Sequence, residues 1–521
     1  MKYIRWLWIL FFAAIFLYTF NLGELPLRDW DEGIVATVAR EIYRANWSEQ
    51  PFAPTWLYPQ DIDGPYWNKP PLIHSLIALS YQFFGVSEWS TRLIPSILSA
   101  LCVPLLYFIG REIFDSDKTA FLSAVVYLTL IPVVRHNRLA MLDGAVTFEF
   151  CLAVWCLLKL RNCFDRKLYV FGIGFSLGLL CLTKGLAIAL LISFIILLFI
   201  IAEIKTFLPL FSWQTIFIIV LGISPAIIWY SLQYAHYGRD FINYNLGTQT
   251  FNRVINTVEN NSQPGWYYLF ELVKYSLPWL IFLPGGIKLA IQQWNKIWAK
   301  LTLIWFSTYL VAISLMTTKL PWYIIPIYPA FALLVGANLE RLVRVQKKIK
   351  NYIYQTWLLL FSIIFWLATI YFAFLSNPKD TDLFLIAVIL AVTFTFSTIL
   401  INKQSNYFIS LSVGLYIALL ALFNTPHAIW ELAEAYPVQT VAKLVRENTP
   451  QTATIYTSYP YYRPSLNFYS DRSIIPISEV NLPKILASNK ETYLLLSKDT
   501  PAIANSRIID KTETWQIAIV N

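Results

Sequence analysis

Apolar residues fall along this 521-residue chain in long blocks separated by short polar breaks. Blocks of roughly 17 to 25 residues, the length a helix needs to cross a hydrocarbon core, lie near 6–22, 92–110, 119–134, 145–161, 169–183, 186–203, 214–234, 267–290, 301–317, 323–343, 355–375, 382–401 and 406–424. They predict about thirteen membrane-spanning helices. One further run, Leu72–Phe84 "LIHSLIALSYQFF", is apolar but only about thirteen residues long, short for a span. A crossing there would invert every later loop, so an interfacial or re-entrant helix that does not cross is expected.

The last stretch changes period. "YPVQTVAKLVREN" has helical spacing, while "TATIYTS", "SIIPIS", "TYLLLS" and "WQIAIVN" alternate or run apolar between Asn, Asp, Pro and Ser breaks, as strands do. The expected organisation is an α-helical polytopic membrane domain over 1–428, with interfacial helices in an outer loop at 23–91, followed by a small soluble α/β domain over 429–521 on the outer face.

Composition agrees with that class: 57% of residues are hydrophobic and 14% charged, outside the range of soluble globular chains. Charge sets the orientation. With Lys2 and Arg5 inside, the inner loops carry Arg111 and Lys118, the Lys159 to Lys167 group, Lys205, Lys296, Lys300, Lys403 and the "RLVRVQKKIK" run from Arg341 to Lys350. The net charge of +9 is therefore a membrane-orientation signal facing anionic lipid, and no nucleic-acid partner is expected. Aromatic residues at 17% suit many helix ends at two interfaces. The N-terminal apolar run lacks a small-residue cleavage pattern and is read as an uncleaved first span. The five cysteines all lie on or beside predicted spans, so a disulfide scaffold is not expected.

This topology leaves 23–91, 135–144, 235–266 and the tail on one face, where polar chemistry can assemble. In "PLRDWDEGIVATVARE", Val35, Val38, Ala39 and Ile42 recur at helical spacing behind Asp29, Asp31 and Glu32. Asp29 with Glu32 fits a capping box; Asp31 is not needed for a cap. In "GPYWNKPPLIH", Pro70 and Pro71 fix the backbone after Lys69, which either snorkels or neutralises a phosphate at the interface. Tyr66 precedes it. "RHNRLAMLDGAVTFEF" places Arg138 and Asp143 at the mouth of a span, and Asp143 suits an N-cap or a site. "TTKLPWYIIPIYP" offers Lys319 and Tyr323 on a proline-broken segment, and such backbone is tolerated in membranes where it borders a cavity. The four histidines are dispersed and no metal-ligand or nucleotide-binding motif occurs; no cofactor is indicated, and a divalent metal is left open.

At these residues the chain resembles the polyprenyl-phosphate-dependent membrane glycosyltransferases of the GT-C fold, in the branch of the lipid A 4-amino-4-deoxy-L-arabinose transferases and the protein O-mannosyltransferases. The carriers are "LPLRDWDEGIVATVAREI", "GPYWNKPPL", "FGVSEWSTRLIPSI", "CLTKGLAIALL", "WYYLFELVKYSLPWLIFLP" and "KLPWYIIPIYPAFALL", in family order over residues 25 to about 334. The resemblance implies transfer of a sugar from a polyprenyl-phosphate donor to a lipid, glycan or protein acceptor at the outer face of the cytoplasmic membrane. Asp31 of the "DE" pair would be the catalytic carboxylate, with Glu32 beside it and Asp143 a second acid. Lys69, Arg253 and Tyr323 would bind the donor phosphate, and Tyr66, Arg138 and Lys319 would line the cavity.

Two departures stand out. Ile34 and Val35 replace a polar pair that members of the arabinose branch often carry and that should face the site. Asn68 stands where an acid often precedes the lysine, which removes a ligand for any divalent metal there. A protein O-mannosyltransferase and a transporter of polyprenyl-linked glycan are the competing readings; the absence of an inverted repeat weighs against the transporter.

Overall fold

The computed structural model describes residues 2–45, 54–62, 64–161, 166–252, 262–345, 352–402, 407–428, 438–458, 462–478, 481–483, 491–500 and 505–520. They form two compact units, one of 1–21, 67–72 and 95–428, the other of 22–66, 73–94 and 429–521.

The first unit is a helical bundle. Every predicted span coincides with helix: Lys2–Thr19 (α1), Glu88–Ile113 (α4), Asp117–Leu128 (α5) with Ile131–Asn137 (α6), Asp143–Lys159 (α7), Arg166–Thr183 (α8), Leu186–Ala202 (α9), and, further on, Trp213–Tyr237, Tyr267–Tyr275 with Leu283–Gln292, Ile297–Leu315, Tyr328–Val345, Tyr352–Ile370, Thr381–Asn402 and Tyr407–Leu422. Among the described residues seven helices are long and apolar enough to cross a membrane, or eight if the bent pair α5 and α6 is one span, fewer than the thirteen expected because several of the predicted spans are shorter or broken helices. The protein is a multi-pass membrane protein.

Proline explains the breaks. α5 and α6 meet at 63° just before Pro132, which cannot donate into a continuous helix. Pro321 and Pro326 turn the approach to Tyr328–Val345 into a tighter helix at Pro321–Ile327. Burial sorts the spans: the apolar window of Pro321–Arg344 is 89% buried, whereas those of Trp213–Tyr237 and Tyr352–Leu375 are each 17% buried and present apolar side chains outward, as lipid-facing helices do.

The second unit joins the outer loop to the tail. It contains α2 (Trp30–Arg44), a two-residue strand pair β1 (Gln60–Asp61) and β2 (Gly64–Pro65), most of α3 (Leu72–Phe84), and a five-stranded sheet. α3 spans 13 residues, about 20 Å at the helical rise, well short of a bilayer core. It exposes Leu79, Phe83 and Phe84 while burying Ile73, Ile77 and Tyr81, an amphipathic pattern suited to an interface.

The sheet runs β4 (Ser473–Ile477), β3 (Thr454–Ser458), β5 (Thr492–Ser497), β7 (Trp515–Val520), β6 (Ser506–Lys511). β3 pairs in parallel with β4 and β5, and β7 pairs antiparallel with β5 and β6. The helix Val438–Asn448 covers it, packing Val441, Leu444 and Val445 with Ile455, Ile474, Leu495 and Ile517. Four strands and this helix follow the sequence expectation. β6 and the helix Pro464–Ser470 were not signalled. β6 is an exposed edge strand, "SRIIDK", without apolar alternation, and it ends on charge as edge strands do.

Candidate active site

In the second unit the acidic turn opens α2. Glu32 is fully buried, and Arg92 grips both its oxygens at 2.7 Å. The same guanidinium donates to the carbonyls of Leu22, Leu25 and Pro26, and the Arg28 amide donates to Glu32 at 2.8 Å. Glu32 and Arg92 thus staple the entry segment to the helix start. The Asp29–Glu32 capping box does not form. Asp29 makes no side-chain cap because its carboxylate turns to the tail: Ser465 Oγ donates to it and Arg463 Nε lies 2.7 Å away in an ion-pair contact. Burial pushes the Asp29 carboxyl up to about 6, against the opposing pull of Ser465 and Arg463. Asp31, in the first turn of α2, is half-buried.

Gly33 sits where α2 meets the tail. A Cβ there would sit 2.6 Å from the Ser465 amide nitrogen, so only glycine lets the tail helix Pro464–Ser470 approach α2 this closely. Arg40 then donates to the Phe468 and Asn467 carbonyls, and Arg44 pairs with Asp471 at 2.6 Å. Ile34 packs with Val38, Ile42, Tyr66 and Ala78. Val35 is buried as well. The pair expected to face a site contributes to packing, and Tyr66 belongs to the same cluster, edge-on to His74 at 5.2 Å.

In the first unit, Lys69 follows a segment held from several sides. Asn68 accepts from the Tyr244 hydroxyl and from Gln249 Nε2 at 3.0 Å, Asn245 donates to the Trp67 carbonyl, and the Trp67 ring packs edge-on to Tyr237 at 5.2 Å. Asn68 therefore serves as a double acceptor. Lys69 itself is half-buried.

Asp143, at the first turn of α7, is buried and paired with Lys184, whose ammonium also lies 5.0 Å from the centre of the Tyr323 ring. Lys184 ends the "CLTKGL" turn, where Gly185 takes φ +99° and lets the chain reverse between α8 and α9. Beneath it, Thr183 donates to Glu149 at 2.6 Å. The Tyr323 carbonyl accepts from the Tyr309 hydroxyl. Lys184 was not among the predicted candidates, although a signal existed: the expected alternation of spans puts this cation on the outer face, where basic residues are not expected.

The remaining candidates divide. Arg138 donates to the carbonyls of Leu17 and Phe20 and lies over the Phe423 ring, closing the end of α1. Lys319 is buried, donates to the Met316 carbonyl, and burial lowers its pKa. Arg253 lies outside the described residues. Ligand atoms of Asp380, Asp382 and His427 lie within 4.8 Å of one another, but Asp380 already caps the Leu383 amide and pairs with His427 at 2.8 Å.

Residues 68–229 match the family model described as dolichyl-phosphate-mannose-protein mannosyltransferase. An undecaprenyl phosphate-α-4-amino-4-deoxy-L-arabinose arabinosyl transferase of Pseudomonas fluorescens is 28% identical over 54% of this chain and 52% of its own length. The corresponding enzyme of Proteus mirabilis is 27% identical over 65% of this chain and 60% of its own. The chain thus spans about half to three fifths of the curated relatives it matches. In three dimensions it matches the crystal structure of ArnT from Cupriavidus metallidurans bound to undecaprenyl phosphate, with TM-score 0.75, 18% identity, and coverage of 99% of this chain and 98% of that one. The fold is GT-C. The archaeal oligosaccharyltransferase AglB from Archaeoglobus fulgidus matches more loosely, with TM-score 0.55, 14% identity, and coverage of 95% and 69%. Within the GT-C bundle, the structure brings Asp143, Lys184 and Tyr323 together and sets Lys69 on a braced segment; within the second unit, it separates a buried Glu32 from a half-buried Asp31.

Proposed function

We propose that this protein is a membrane glycosyltransferase that moves a sugar from a polyprenyl-phosphate carrier to an acceptor on the periplasmic side of the cytoplasmic membrane. The observation that carries the reading is the Asp143, Lys184 and Tyr323 group: a lysine tethered by one carboxylate and one ring at the outer end of a helix bundle. A half-buried cation held this way is suited to meet the growing charge of a phosphate leaving group without reorganising. Lys69 supplies a second point charge, and Arg253 and Tyr323 are the further phosphate ligands by motif. Asp31 is the base: an acceptor hydroxyl is a weak nucleophile, and a carboxylate in reach can take its proton as it attacks the anomeric carbon. Glu32 and Asp29 position that turn and do not touch substrate.

The arabinose-transferase relatives favour an aminopentose donor, the resemblance of the sequence to that branch favours a lipid or glycan acceptor, and the mannosyltransferase model favours a protein acceptor. The deciding experiment supplies radiolabelled polyprenyl-phosphate sugars to membranes holding the wild type, Asp31→Asn, Lys69→Ala or Lys184→Ala, then counts label in lipid, glycan and protein fractions. Label in one fraction, reduced about 100-fold or more in each variant, supports the assignment and names the acceptor class. No wild-type-dependent label removes the transfer reading, and movement of labelled lipid across the membrane without bond formation favours a transporter.

A further inference from the structure

At the end of the helix bundle opposite the Lys184 turn, a cavity of about 690 Å³ opens among the ends of α4, α9, Ile297–Leu315 and Tyr328–Val345 and the start of α5. Its acids are almost all committed: Glu112 pairs with Lys159 at 2.6 Å, Glu203 with Lys300 at 2.7 Å, and Glu340 with Arg344 at 2.6 Å. Three lining cations have no carboxylate partner among the described residues. Among those residues Arg161 donates only to the Glu112 carbonyl, and Lys296 and Arg341 make no ion pair or side-chain hydrogen bond. Asp115 is the one lining acid left without a partner there. The helix Ile297–Leu315 also begins at this wall, directly after Lys296, adding the positive end of its dipole. Phe114 and Leu289, half-buried, and Trp298, buried, also line it, whereas Lys296 and Arg341 are exposed.

Exposed cations and more deeply buried apolar side chains lining one cavity suit an anionic amphiphile, a phosphate with glycerol and acyl carbons behind it. A free phosphate would need only the cations. Every wall residue belongs to a segment on the inner face of the bilayer under the orientation proposed above, on which this inference rests. We propose that the cavity binds the headgroup of an anionic phospholipid of the cytoplasmic leaflet, with Lys296, Arg341 and Arg161 on its phosphate. The site is separate in the bundle from the donor machinery and takes a lipid from the other leaflet.

The test uses purified full-length protein and the double variant Lys296→Gln/Arg341→Gln. Each is titrated with phosphatidylglycerol, phosphatidylcholine or inorganic phosphate, and bound lipid is counted by native mass spectrometry alongside the thermal midpoint. Wild type should retain phosphatidylglycerol at least tenfold more tightly than phosphatidylcholine, with a raised midpoint, and the double variant should lose both effects. Equal retention by the two proteins, or by the two lipids, overturns the proposal. A midpoint raised equally by inorganic phosphate overturns the lipid assignment. Sugar transfer is measured in the same preparations: loss of transfer activity in the wild type would count against the proposed function, whereas missing lipid selectivity beside intact transfer counts against this inference alone.

Discussion

Three neighbouring carboxylates on one turn have three different physical fates, and each fate can be measured. Glu32 has no exposure and two short bonds to Arg92, so Glu32→Ala leaves a guanidinium buried without its counter-charge. That should cost about 3–5 kcal/mol of stability, read as a lower denaturation midpoint in detergent. Asp31→Asn should leave that midpoint unchanged while reducing sugar transfer roughly 10²–10⁴-fold; a variant that unfolds instead would assign Asp31 a structural part. Asp29 carries the pH dependence. Its carboxyl is raised from 3.8 to about 6 by burial, so the folded state holds the proton more tightly than the unfolded chain. Its contribution is therefore complete below about pH 4 and lost as pH rises through about 6. Asp29→Asn should flatten the fall in stability between those values, and a wild-type profile with no slope there would contradict it.

At the scale of elements, periodicity carried most of the bundle because each span announces itself through its own apolar run. What it could not carry is contact between distant segments. Gly33 looks like an ordinary helix glycine in sequence, yet its place is fixed by Ser465, more than four hundred residues away. Gly33→Ala should force α2 and the helix Pro464–Ser470 apart, costing about 1–3 kcal/mol as overpacking does, and proteolysis should then cut the tail faster than in wild type. Equal cutting rates would mean that the close approach does not hold the tail. The same dependence on distant partners hid the true role of Asp29. Adjacent residues suggested a cap, and Ser465 and Arg463 claimed the carboxylate instead. β6 escaped because an exposed edge strand has no apolar face to reveal it.

At the scale of the whole molecule, the charge rule did two jobs. It oriented the bundle, and two of its exceptions belong to the proposed site: Lys69 and Lys184, like Lys319, are cations on the face where cations are scarce, and Lys69 and Lys319 were legible as candidates for other reasons. Lys184 was not, because it sits at the end of an unbroken apolar run and its partners Asp143 and Tyr323 lie about forty and about one hundred and forty residues away. If the orientation is right, Asn424, exposed after the last span, and Asn295, exposed beside the opposite cavity, lie on opposite sides of the membrane. In a background with Cys163 replaced by serine, the other four cysteines are buried and should stay silent. Asn424→Cys should then react with a membrane-impermeant maleimide in spheroplasts, and Asn295→Cys only after the membrane is broken. The reverse pattern would place Lys184 and Asp143 on the cytoplasmic side, where the proposed donor site could not face a periplasmic acceptor, and labelling of both sites in intact spheroplasts would mean an odd number of the apolar helices between them fails to cross.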